Sequence, residues 1–118
     1  MSQDGLNTVS RGYAVAAPGA NTDILTTGLV PPFDGIFVVT VSLTTGSVFN
    51  VTSTDGTTAY TNGLNASVAL NAGDVYTFSF GVRTGITYNF QVETNSVVRF
   101  LIVQHMTGSL GLNSAQGA

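Results

Sequence analysis

Hydrophobic residues recur at every second position through most of this chain, and Gly, Asn, Asp and Pro interrupt them about every ten residues. A period of two places successive side chains on opposite faces of an extended strand, whereas an amphipathic helix needs a period near 3.6. Between Ile36 and Leu43, the residues Phe37, Val39, Val41 and Leu43 share one face, with Ile36, Val38, Thr40 and Ser42 on the other. From Ile86, the residues Ile86, Tyr88, Phe90 and Val92 alternate with Thr87, Asn89, Gln91 and Glu93. No helical period competes. Strands are predicted near 9–16, 23–30, 35–44, 47–53, 57–61, 66–70, 75–82, 86–93 and 97–105. Eight or nine short antiparallel strands of this kind predict an all-β sandwich.

Turn chemistry separates them. Pro31-Pro32, Thr45-Gly46, Asp55-Gly56, Asn62-Gly63, Asn71-Ala72-Gly73-Asp74 and Thr84-Gly85 fall between the apolar runs, and Asp55-Gly56 is the best hairpin tip because both residues tolerate positive φ. The run from Val97 to Val103 differs from the others in being apolar on both faces. A sandwich covers one face of a strand, so the second needs a covering loop or another subunit. The subunit is the reading taken, which makes Arg99, Leu101, Ile102, Val103 and His105 candidate interface residues. A three-residue turn at Asn95 to Val97 would set Glu93 opposite Arg99 as a cross-strand ion pair; a two-residue turn would put Val92 there instead.

The length of 118 residues suits one domain, expected as an arm over 1–8, a sandwich over 9–106 and a second arm over 107–118. Charge changes the picture most. Asp, Glu, Lys and Arg make up 8% of the chain and lysine is absent, so Thr, Ser, Asn and Gly must form the surface. Such a surface suits packing against other chains, because neutral groups escape the desolvation penalty of ions. With Arg11, Arg83 and Arg99 as the only cations and a net charge of −3, nucleic-acid binding is not expected. No apolar run reaches the roughly 18 residues of a membrane-spanning helix and no signal-peptide pattern opens the chain, so a soluble, unprocessed protein without a membrane partner is expected. The absence of cysteine excludes disulfides, thiolate metal sites and cysteine nucleophiles.

Two segments, Val30-Pro31-Pro32-Phe33-Asp34-Gly35-Ile36-Phe37-Val38-Val39-Thr40-Val41 and Leu70-Asn71-Ala72-Gly73-Asp74-Val75-Tyr76-Thr77, resemble motifs of jelly rolls of the C1q and tumour-necrosis-factor type. The first resembles their Pro-x-x-Gly-hydrophobic-aromatic strand opening and the second their Leu-x-x-Gly-Asp hairpin. The resemblance implies a jelly roll that assembles as a tight trimer. Similar small jelly rolls serve viruses and bacteriophages as capsid decoration proteins and fibre domains.

Candidate chemistry is sparse. His105, the single histidine, offers a general base or metal ligand, but no Ser or Asp motif accompanies it and a structural or interface role is expected. Asp4, Asp34 and Asp55 precede glycines, and Asp23 and Asp74 open strands; they lack the spacing of a calcium loop and read as turn formers. Tyr13, Tyr60, Tyr76 and Tyr88 suit sugar stacking in principle and are expected to be structural. The sequons Asn50-Val51-Thr52 and Asn65-Ala66-Ser67 read as chance in a chain rich in Asn and Thr. No catalytic residue, metal site or cofactor is expected. The leading expectation is a non-enzymatic virion protein, a trimeric capsid decoration (cement) or minor capsid protein contacting other capsid proteins. A carbohydrate- or receptor-binding module or fibre head is the alternative.

Overall fold

The structure, a computed structural model, describes residues 7–16, 19–94 and 97–107, with β1 given by its backbone and pairing. Alternation becomes seven strands: β1 (Asn7–Ala16), β2 (Gly35–Leu43), β3 (Phe49–Thr54), β4 (Ala59–Gly63), β5 (Val75–Val82), β6 (Thr87–Val92) and β7 (Val97–Thr107). They form two antiparallel sheets, a four-stranded one in the order β1-β7-β2-β5 and a three-stranded one in the order β4-β3-β6. The expected arms, 1–8 and 107–118, lie outside the described residues except at Asn7, Thr8 and Thr107, which belong to strands.

The core lies between the inner faces of the sheets. Phe37, Val39, Val41 and Leu43 of β2 are fully buried, as their shared face requires, and meet Tyr88, Phe90 and Val92 of β6 and Phe49 and Val51 of β3. Each such side chain stabilises the fold by roughly 1.5–3 kcal/mol through burial. Phe49 stacks on Phe90 at 5.5 Å between ring centroids, and Phe37 meets Phe80 and Tyr88 edge-on at 6.1 and 5.5 Å.

Two predicted strands are absent, each for a local reason. The segment 23–30 contributes only the isolated bridge of Leu29 to Tyr88. It runs beside β6 through the backbone bonds Asn21 N to Val92 O, Ile24 N to Phe90 O and Leu29 N to Tyr88 O. Between them the Asn89 side chain replaces a peptide unit: its Oδ1 accepts from Leu25 N at 3.0 Å and its Nδ2 donates to Leu25 O at 2.9 Å. The segment 66–70 instead follows a single tight turn, Asn65–Ser67, whose residues all have positive φ (59°, 53° and 62°). That left-handed turn folds Ser67 back over Gly63, where a Cβ would overlap the Ser67 backbone, so glycine is required there.

The run 97–103 is apolar on both faces in the structure too, and a bulge sets which residue faces which way. Ser42 pairs with Phe100 but Leu43 pairs with Val98, so Arg99 is an extra residue in a β-bulge. The inward set is therefore Val98, Leu101, Val103 and His105, all buried, and the outward set is Phe100, Ile102, Gln104 and Met106, all half-buried.

The expected pairing of Glu93 with Arg99 does not occur. β6 and β7 belong to different sheets, so the chain between them crosses the sandwich and neither register proposed for a hairpin applies. Arg99 donates from Nη1 to the Ser42 hydroxyl at 3.2 Å and to Gly73 O at 3.0 Å, while Glu93 accepts from Asn50 Nδ2 at 3.2 Å.

Candidate functional site

The bulge at Arg99 decides which of the five interface candidates reach a surface. Leu101, Val103 and His105 point into the subunit's own core and are buried, which moves them from the expected interface into the interior. Ile102 faces outward and Arg99 is exposed at the corner of the sheet. The outward neighbours of Ile102 are Phe100 and Met106 on β7 and Ile36, Val38 and Thr40 on β2, placed side by side by the pairings Thr40 with Ile102, Val38 with Gln104 and Ile36 with Met106. β5 extends the row with Val75, Thr77 and Ser79, of which Val75 is 59% exposed. None of these outward positions on β2, β5 and β7 carries a charge. In β1, Arg11 is the register partner of Ile102.

His105 sits at one end of the core, stacked on Phe33 at 4.1 Å and edge-on to Phe37 at 5.4 Å. It is 1% exposed, and its Nε2 has no hydrogen-bond partner. Burial holds its pKa below the ordinary value of 6.5, with a hydrogen bond to the Phe33 backbone pulling weakly the other way. No family, curated protein or solved structure matches this chain. Function therefore rests on surfaces and side chains.

The carboxylates are dispersed. Asp23 accepts from Gln91 Nε2 at 2.9 Å, Asp34 accepts from Thr84 N at 2.8 Å, and no three His, Asp or Glu residues gather among the described residues. Asn50 of the first sequon is buried in β3, whereas Asn65 of the second is exposed in its left-handed turn. Among the described residues no helix is long and apolar enough to cross a membrane.

The tyrosines divide. Tyr88 is buried and its hydroxyl accepts from Arg83 N at 3.0 Å; Tyr76 is half-buried and accepts from Asn71 N at 2.9 Å. Tyr60, expected to be structural, is 63% exposed instead. It is the register partner of Ser53, which also faces Tyr88 across β3, so its ring lies on the core side of β4 where that edge strand overhangs the sandwich. A small open cleft of about 70 Å³ results, lined by Ser53, Thr54, Asp55, Thr58, Tyr60 and Ile86. Signals for it were present in the sequence: a hairpin-tip aspartate and a tyrosine five residues on, in a strand too short and polar to be covered.

Proposed function

We propose that this protein is a non-enzymatic structural subunit that associates through the outer face of its four-stranded sheet into a homotrimer, serving as a capsid decoration or minor capsid protein of a virion. The observation that carries the assembly reading is the neutral row of Phe100, Ile102, Met106, Ile36 and Val38 on that face. Half-buried apolar residues on β2 and β7 form a patch that a second chain covers, with Arg11 of β1 the cation in register beside it. The virion placement rests on the resemblance of residues 30–41 and 70–77 to trimeric jelly rolls.

We further infer a jelly-roll winding. If the segment 19–30 beside β6 is read as a worn eighth strand, the second sheet has the order segment-β6-β3-β4. Successive elements then pass between two four-stranded sheets, except that β3 and β4 pair within one, as in the double-sheet folds common in capsid and lectin domains.

Two neighbouring residues test the assembly. Leu101→Asp places a carboxylate in the core and should abolish folding, whereas Ile102→Asp places it on the outer face and should leave a folded monomer. Circular dichroism reports the fold, and light scattering reports whether the parent is three times the 12.2 kDa chain. A monomeric parent, or an Ile102→Asp variant that stays trimeric, refutes the proposed interface.

A further inference from the structure

We propose that the cleft beside β4 binds a single neutral pyranose ring, stacked on Tyr60 and hydrogen-bonded to Asp55. This goes beyond the assembly reading and does not rest on it, since none of the lining residues belongs to the outer face of the four-stranded sheet.

Three kinds of group converge there. The first is an aromatic platform: Tyr60 is 63% exposed and makes no ring contact with another described aromatic. The C–H face of a pyranose is apolar and weakly positive, which suits the negative face of an aromatic ring. Ile86, half-buried beside it, adds an aliphatic wall.

The second is a pre-set acceptor. Asp55 Oδ1 is occupied by the hairpin, accepting from Thr57 N and Thr58 N at 2.8 Å each. Oδ2 takes no hydrogen bond from another described residue, so the carboxylate is fixed in direction with one oxygen open. Those backbone bonds, first from Thr58 and then from Thr57, hold its pKa below the usual carboxylate value, so it is ionised near neutral pH. An ionised oxygen of fixed orientation accepts well from adjacent sugar hydroxyls, because charge-assisted bonds are the stronger kind.

The third is a pair of free hydroxyls. The side chains of Ser53 and Thr58 line the cleft without bonding to any other described residue, which leaves each able to donate to a ring or hydroxyl oxygen. The cleft is shallow, about 70 Å³ and far below pockets for drug-sized ligands, so it seats one face of a single ring rather than a chain. A net charge of −3 and the carboxylate at the site select against sialic and uronic acids.

The test is a ¹⁵N amide-shift titration with methyl β-D-galactopyranoside, methyl β-D-glucopyranoside and methyl α-D-mannopyranoside, each to about 50 mM because a single small ring binds weakly. At least one glycoside should shift the amides of residues 53–60 and Ile86 saturably. Asp55→Asn keeps an oxygen for the hairpin and removes the charge, and should weaken binding about tenfold. Tyr60→Ala should abolish binding and Tyr60→Phe should retain it. Cyclohexanol, a ring without vicinal hydroxyls, should fail to saturate the site. The proposal is overturned if none of the three glycosides shifts these amides, if their shifts persist in Tyr60→Ala, if Asp55→Asn binds as the parent does, or if cyclohexanol binds equally well.

Discussion

Arg99→Met should destabilise the fold by about 1.5–3.5 kcal/mol, and most of that loss should come from a different residue, Ser42. The guanidinium makes two bonds of unequal consequence. Gly73 O lies in an exposed turn, where water replaces the lost donor, and the loss is about 0.5 kcal/mol. Ser42 is fully buried at the bulge, and Arg99 provides its hydroxyl's hydrogen bond. Removing the guanidinium strands that hydroxyl, at a cost of about 1–3 kcal/mol. Ser42→Ala deletes the stranded group. The double variant Arg99→Met with Ser42→Ala should therefore lose about 1–2 kcal/mol less than the sum of the single losses. Arg99→Met combined with Glu93→Gln should instead be additive within about 0.5 kcal/mol, since the two residues have separate partners in separate sheets. Urea midpoints at constant slope give these differences. Additivity between Arg99 and Ser42, or coupling between Arg99 and Glu93, would refute the reasoning.

Acid should weaken the fold through His105. Its folded pKa is below 6.5, so the unfolded chain binds more protons; stability falls as pH drops below 6.5 and levels off once the folded pKa is passed, and His105→Gln should flatten that part of a urea-midpoint profile. Asn89→Ala should strip both backbone groups of Leu25 of their partners, costing about 1–2 kcal/mol and sharply accelerating hydrogen exchange at the Leu25 amide. Unchanged exchange there would show that the segment holds to β6 without the side chain.

The legible part of this fold was the part governed by alternation. In β2 and β6 a period of two and an inner face suffice, and Phe37 to Leu43 and Tyr88 to Val92 went where their pattern sends them. What was illegible depends on a single residue changing the count. One bulge at Arg99 shifts the phase of β7, so Val98 faces inward with Leu101 and Val103 while Phe100 and Ile102 face outward, an assignment that strict alternation from Val97 does not give. A side-chain amide at Asn89 satisfies backbone that would otherwise pair, so 23–30 reads as a strand without being one. The Glu93 to Arg99 expectation assumed that neighbours in sequence are neighbours in a sheet, and opposite charge gave no information about that. The cleft was missed because the exposure of Tyr60 comes from the overhang of an edge strand, a property of both sheets together.

Each sheet has a neutral edge, β5 in the first and β4 in the second. β5 is eight residues long, pairs with β2 without a bulge, and has no charge or proline from Val75 to Val82; β4 is likewise uncharged. Proteins ordinarily guard such edges with lysine, proline or irregular backbone, and a chain without lysine lacks the commonest guard. The outer N–H and C=O groups of β5, which no strand among the described residues pairs, are therefore a template that another copy can extend, and β5 has the composition of segments that stack into cross-β ladders. In the assembly proposed above, association through the outer face and edge-on growth through β5 compete for the same chain. Edge-on growth rises with concentration, so the history of a sample should govern its state as much as its sequence does.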